Sequence, residues 1–134
     1  EDRRTGARLD VALAWVAAPD WQAAPERPIP LAVIEDPCPF RNAAIQALND
    51  AGQSWEIAMT SPSLPGVLAA VRAGLAVTLR TSLSLTGGLA AVTQGLPKLD
   101  PERVAFRLLT GDKLTPAAQV LRTAVTSELQ VRQN

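Results

Sequence analysis

The sequence has 134 residues, 47% of them apolar, and its thirteen Lys and Arg are balanced by thirteen Asp and Glu. This length is sufficient for one globular core, and a net charge of zero gives no positive field to draw the chain onto a phosphate backbone. The absence of His and the single cysteine exclude Ser-His-Asp and Cys-His catalysis, His-containing zinc sites and an internal disulfide, and they favour a reducing, cytoplasmic location.

The first thirty residues predict one strand and a connector. Residues 1–8 are charged and polar and predict a loosely attached start. Leu9–Ala17 is an apolar run whose length and content of Val and Trp indicate a buried strand. Prolines recur between Asp20 and Pro30, so this stretch is predicted to be an extended connector without helix.

Strands and helices then alternate. The pattern predicts strands at Leu31–Ile34, Trp55–Thr60 and Leu75–Leu79, and helices at Pro39–Ala51 and Leu64–Ala73 that are closed by Gly52 and Gly74. Short turns between such elements are typical of right-handed βαβ crossovers. The sequence therefore predicts an α/β fold with a parallel or mixed sheet and flanking helices.

The last part of the chain predicts a loop, a strand and a long helix. Residues 81–95 are rich in Ser, Thr and Gly and predict a loop with at most one short strand. Val104–Leu109 predicts a strand, and Thr115 followed by Pro116 predicts the start of a helix. An apolar stripe on this helix requires a surface to cover.

Polar residues follow each of the three central strands. In an open parallel sheet, ligands bind beyond the C-terminal ends of the strands, where helix N-termini present free N–H groups. The segments at these positions are Glu35–Arg41, Thr60–Leu64 and Arg80–Ser84. We expect a binding site where these segments meet.

The first segment has a functional and a structural interpretation. Arg41 lies in the opening turn of its helix, where a cation opposes the helix dipole. Either a bound carboxylate nearby or an ion pair with Glu35 or Asp36 would explain this position. Cys38 is either a reactive thiol or a small buried hydrophobic residue.

The other two segments are also open to both interpretations. Hydroxyls of the second segment either hold a carboxylate or carbonyl of a ligand or cap the next helix. Residues 80–82 form either a polar pocket wall or a turn. The sequence contains no spaced pair of carboxylates for acid–base work and no phosphate-binding glycine loop. It therefore predicts a binding protein without cofactor or metal, not an enzyme.

Several motifs occur in a fixed order: Leu13–Asp20 (LAWVAAPD), Ile29–Ile34 (IPLAVI), Cys38–Arg41 (CPFR), Trp55–Ser61 (WEIAMTS), Leu68–Val77 (LAAVRAGLAV), Leu96-Pro97 and Val104–Leu109. This ordered set resembles the second half of the effector-binding region of LysR-type bacterial transcription regulators. Single motifs of this kind recur by chance, but the set in this order rarely does. The resemblance covers the chain from Leu13 to Leu109.

The resemblance implies two α/β lobes of the periplasmic-binding-protein type II fold with an effector held between them. In this interpretation residues 1–30 form a tail, a hinge-crossing strand and a connector, residues 31–100 the effector-binding lobe, and residues 101–134 a return strand and C-terminal helix. The pocket-facing candidates that it implies are Cys38, Phe40, Arg41, Thr60, Ser61 and Ser63. The family usually has a Pro after the third strand, where this sequence has Arg80-Thr81-Ser82.

The favoured hypothesis is an effector-sensing fragment of a LysR-type transcription factor that binds a small organic anion. We expect it to form a homodimer or higher oligomer and to reach DNA only through an N-terminal domain that this sequence lacks. An alternative is a solute-binding-protein-like lobe of a transport system, against which we count the absence of a secretory segment. A third, a hydrolase using Ser61 or Cys38, lacks a His base. No apolar run reaches the ~20 residues that cross a bilayer, so no membrane partner is expected.

Overall fold

The computed structural model describes residues 5–133, which divide into two compact units. The larger unit contains residues 12–102, and the smaller unit contains the described residues of 5–11 and 103–133. The elements in chain order are β1 (Thr5–Ala17), β2 (Ile29–Ile34), α1 (Pro39–Asp50), β3 (Trp55–Ser61), α2 (Leu64–Arg72), β4 (Thr78–Thr81), a 3-10 turn (Ser82–Ser84), β5 (Ala90–Ala91), β6 (Arg103–Leu109) and α3 (Pro116–Gln133).

The central strands of the larger unit run parallel. β2 and β3 pair in parallel from Ile29 opposite Trp55 to Ile34 opposite Ser61. Val77, which directly precedes β4, forms a parallel bridge with Leu31. This confirms the prediction of parallel strands joined by crossover helices.

β1 belongs to a second sheet, in which it pairs antiparallel with both β4 and β5. The Leu31–Val77 bridge connects this sheet to β2, so parallel and antiparallel pairing occur together. Its pairing with β4 runs from Leu13 opposite Thr81 to Val16 opposite Thr78. The fold class predicted from the sequence, α/β with a parallel or mixed sheet and flanking helices, is therefore confirmed.

The two helices of the larger unit cover opposite faces of the sheet. Along β2, Leu31 and Val33 pack with Leu48 of α1, whereas Ala32 between them packs with Val71 of α2. Successive residues of a strand point to opposite faces. A strand buried on both faces needs apolar residues at every position, which explains the continuous apolar runs in the sequence.

The third strand begins later than predicted. Leu75 was expected to start it, but α2 ends at Arg72, Gly74 has a φ of +76°, and the side chain of Leu75 is 66% exposed. Hydrogen bonds from Gly74 N to Val71 O and from Leu75 N to Ala70 O form a Schellman motif. Leu75 therefore belongs to the helix cap, and β4 starts at Thr78.

Three other regions refine the predictions. The predicted loose start is wrong for residues 5–8, which belong to β1, while residues 1–4 lie outside the described part of the chain. Composition could not reveal this strand because the pairing partner, β6, lies far along the sequence. The predicted loop at 81–95 contains the 3-10 turn and the short strand β5. The connector at 20–30 includes turns, and β2 starts before its end, at Ile29.

The smaller unit consists of the start of β1, β6 and α3. The predicted cap of the last helix is confirmed, since the Thr115 hydroxyl accepts a hydrogen bond from Ala118 N at 3.1 Å. None of the described residues of α3 is buried. The large apolar side chains of this unit that stay exposed are Phe106, Leu109, Val120, Leu121 and Val131. The predicted apolar stripe thus has no cover within the described chain.

Candidate functional site

The turns that follow β2 and β3 lie side by side. Ile34 and Ser61, the last residues of the two strands, are register partners. The backbone N–H of Glu35 donates to the carbonyl oxygen of Ser61 at 3.1 Å. Parallel pairing therefore brings the first two predicted polar segments to one edge of the sheet.

A narrow cleft of about 10 Å³ lies between the ends of β2 and β4 and the start of α1. A cavity of that size holds about one water molecule. Its walls are mostly apolar, and the residues with functional groups on its lining are Cys38, Arg41, Thr78 and Arg80, with the ring of Phe40 beside them. Three of the six predicted site residues thus line one cleft.

Cys38 and Phe40 open helix α1. Cys38 is the N-cap residue, with extended backbone, and its side chain makes no capping hydrogen bond. It is only 6% exposed, which agrees with the interpretation as a small buried hydrophobic residue. Pro39 then occupies the first position of the helix, where a missing N–H costs nothing.

Arg41 is paired within the chain. Its Nη1 donates to Oδ2 of Asp36 at 2.6 Å, and the two side chains are 26% and 63% exposed. This is the ion pair that the sequence offered as the structural interpretation of Arg41. A ligand that reaches Arg41 therefore meets a cation whose charge is already largely balanced.

Thr60, Ser61 and Ser63 lie in the neighbouring turn but do not line the cleft. Ser63 is the N-cap of α2, and its hydroxyl accepts from Gly66 N at 3.4 Å. The Ser61 hydroxyl is buried and accepts from Ser63 N at 3.2 Å, and the Thr60 side chain is exposed. Both serine hydroxyls thus stabilise the turn and the start of α2.

Arg80 is the cleft residue that the predicted site set omitted. Its guanidinium carbon lies 4.2 Å from the centre of the Phe40 ring. Its Nε is buried and has no hydrogen-bond partner among the described residues 5–133. Burial lowers the pKa of Arg80, and the neighbouring Cys38 raises it by a smaller amount. The structure places it within β4, and the available signal was its position directly after the predicted third strand, Leu75–Leu79, in a segment already identified as polar.

The site offers recognition chemistry. It combines a guanidinium, a helix start and an apolar wall, a set that suits an anion with an apolar part. Within residues 5–133 we find no group of three or more side chains that could hold a metal ion. In the same part of the chain, no helix has the length and apolar character that a membrane span requires.

A family model and individual relatives of this chain indicate the same protein family. A family model described as the LysR substrate binding domain matches residues 8–130. The chain is 36% identical over 91 residues to the HTH-type transcriptional regulator PecT of Dickeya dadantii (strain 3937), covering 66% of the chain and 29% of the relative. It is 33% identical over 105 residues to the HTH-type transcriptional regulator DgdR of Burkholderia cepacia, covering 78% and 35%. The chain thus spans about a third of the length of these relatives.

The fold also agrees with solved structures. The regulatory domain of CcmR from Synechocystis PCC6803 in complex with 2-PG superposes with a TM-score of 0.63 and 17% identity, covering 94% of this chain and 66% of that one. At this identity the comparison supports the fold alone. It is the periplasmic-binding-protein type II fold expected from the sequence.

Proposed function

Because the chain belongs to the LysR substrate binding domain family, we propose that it is the part of a transcription regulator that senses a small organic anion. The observation that carries this proposal is the cleft between the ends of β2 and β4 and the start of α1. Ligands of open α/β sheets bind at such strand ends. The chain would act by binding and would perform no reaction.

The proposed contacts include the six residues that the sequence predicted. Cys38, Phe40 and Arg41 would contact the effector from the cleft. Thr60, Ser61 and Ser63 would contact it from the adjacent turn, which the hydrogen bond between Glu35 and Ser61 holds in place. The buried Ser61 would act mainly by shaping this turn, whereas the exposed Thr60 is free to touch a ligand.

The charge of the site supports an anion. Arg41 and Arg80 are both part of the cleft, and only Arg41 has a carboxylate partner among the described residues. A cleft with an unbalanced positive charge attracts negatively charged ligands and repels cations. The narrow cavity supports contact with one end of the effector and not enclosure of all of it.

The remaining partners are inferred for the whole regulator. We propose that DNA is bound by a separate N-terminal domain, since this chain has no net positive charge, and that the regulator acts in the cytoplasm. We also propose a homodimer or higher oligomer, which the exposed apolar side chains of β6 and α3 support. The coding sequence upstream of this chain should then encode a helix-turn-helix.

Isothermal titration calorimetry tests the proposal, with the full-length regulator titrated against a panel of organic acids. At least one acid should bind, and Arg41→Ala or Ser61→Ala should weaken it. Arg72→Ala is a matched control, because Arg72 lies outside the cleft and bonds Gly87. Unchanged affinity in both site variants contradicts the residue assignment, and the absence of binding by every acid contradicts the sensing of an organic anion. The relatives described above are transcription regulators, which favours regulation over transport.

A further inference from the structure

We propose that Arg80 is the group that receives the anion, and that the effector presents a carboxylate to the edge of its guanidinium. This inference deepens the proposed function and rests on it. Arg80 lies near the end of β4, the third central strand, and lines the same cleft as Cys38, Phe40 and Arg41.

The Arg80 guanidinium lies in a cleft without a counter-ion. Within residues 5–133, its Nε is buried and has no hydrogen-bond partner, and no carboxylate lines the cleft. The neighbouring arginine of the cleft differs, because Arg41 is held by Asp36 at 2.6 Å. Buried donors of native proteins are almost always paired. A donor left free at the wall of a ligand cleft is therefore suited to a bound acceptor.

The stacking of Arg80 on Phe40 leaves the edge of the guanidinium open to a ligand. Phe40 covers one face of the guanidinium at 4.2 Å, so the ring already takes the cation–π position on that side. The N–H groups lie in the plane of the guanidinium and point away from that stack. A planar carboxylate can meet two of these N–H groups in the same plane, which is the usual bidentate geometry for Arg.

The small size of the cleft limits the end group that can reach Arg80. The cleft has room for about one water molecule, with a volume of about 10 Å³. A small flat end group fits such a space better than a tetrahedral phosphate, whose oxygens point in four directions. The apolar residues around Arg80, including Leu31, Val33 and Ala44, also strengthen a charged hydrogen bond by lowering the local dielectric. These features favour a carboxylate over a phosphate.

Nuclear magnetic resonance of the 134-residue chain tests this directly, with acetate as the probe. The Arg80 Nε–H signal should shift in a saturable manner with acetate and stay unchanged with acetamide, which has the same shape without the charge. Phosphate at equal concentration should shift it less than acetate. The Arg72 Nε–H, which bonds the carbonyl of Gly87 at 3.2 Å, serves as the internal control and should not move.

Variants complete the test. Arg80→Gln should abolish the acetate-induced shifts of the Phe40 and Arg41 amides, and Arg80→Lys should retain part of them because it keeps the charge without the fork. In the full-length regulator, Arg80→Gln should weaken an effector found by calorimetry by roughly 10- to 150-fold. Arg72→Gln should leave its affinity unchanged.

The outcomes separate the two proposals. An effector that binds wild type and Arg80→Gln equally overturns the assignment of Arg80 and leaves the sensing function standing. Acetate that shifts the Arg80 signal, together with a full-length regulator that binds no organic acid, supports the anion site and overturns the sensing function. An Arg80 signal that responds to neither acetate nor phosphate overturns the anion site, and a larger response to phosphate overturns the carboxylate. The responses of the Arg80 signal to acetate and phosphate come from wild-type protein and do not depend on the folding of any variant.

Discussion

Replacing Arg80 with Met is expected to make the larger unit more stable. In the wild type, the half-buried guanidinium has an Nε without a hydrogen-bond partner among residues 5–133, and an unsatisfied buried donor costs about 1–3 kcal/mol. Met has a similar length, carries no donor and can still pack on the ring of Phe40. The change therefore removes the cost and keeps most of the packing.

The size of the effect follows from the contacts of Arg80. Stacking of the guanidinium on Phe40, at 4.2 Å, stabilises by about 0.5–1 kcal/mol at a partly exposed position. A Met sulfur on the same ring recovers about 0.3–1.5 kcal/mol, so these two contributions nearly cancel. The free energy of unfolding should then rise by about 1 kcal/mol, which is the smaller end of the cost of the unsatisfied donor.

Urea unfolding followed by tryptophan fluorescence measures this change in the correct part of the chain. Trp15, Trp21 and Trp55 all lie in the larger unit, so the signal reports that unit. With a slope of about 1–2 kcal/mol/M, the midpoint should rise by about 0.5–1 M urea.

The control is Arg72→Met, which removes a hydrogen bond to Gly87 and a cation from the end of α2. It should lower the free energy of unfolding by about 0.5–1 kcal/mol. If Arg80→Met lowers the midpoint as much as the control does, the guanidinium has a stabilising role in the free protein and the reasoning above is refuted.

Three further predictions concern the core, a close contact and one carboxylate. Leu48→Ala should lower the free energy of unfolding by about 2–5 kcal/mol because Leu48 is fully buried. Leu75→Ala, at a position 66% exposed, should change the free energy of unfolding by less than about 0.5 kcal/mol. Similar losses in the two variants would place the core elsewhere. Gly66→Ala should lower the free energy of unfolding by about 1–3 kcal/mol, since the added Cβ would lie too close to the Ser61 hydroxyl. The loss should be clearly smaller in a Ser61→Ala background. Equal losses in the two backgrounds would contradict this contact. The hydrogen bond from Arg8 lowers the pKa of Asp10, so any stability from this pair is present at neutral pH and is lost as the pH falls through the lowered pKa. A carboxylate titration by nuclear magnetic resonance should give Asp10 a higher pKa in Arg8→Gln. An unchanged pKa would refute the attribution to Arg8.

The sequence predicted the elements whose ends carry strong local signals. Gly52 and Gly74 end their helices with positive φ angles of 67° and 76°, and only glycine adopts that conformation readily. Pro39 and Thr115 likewise identify helix starts. These signals are local and do not depend on distant residues, so they could be interpreted without the structure.

The features that were missed depend on distant contacts. Thr5–Arg8 has Ala7 as its single apolar residue, yet it is in a strand because β6 pairs with β1. Arg80 gains its importance from its stacking on Phe40 and from the absence of a carboxylate among the described residues that line its cleft, which no spacing of residues reveals. For the same reason, the sequence could place the site at the strand ends but could not rank Arg80 above Arg41.

The position of β1 in the sheet has a consequence for synthesis of the chain. Val16 pairs with Thr78 on one side and with Ala91 on the other, so β1 leaves the ribosome well before either of these neighbours. Until then its apolar residues, including Trp15, have no sheet to join. Long-range pairing of this kind slows folding and leaves apolar strands open to aggregation. Newly made chains are therefore expected to need chaperones more than the finished protein does.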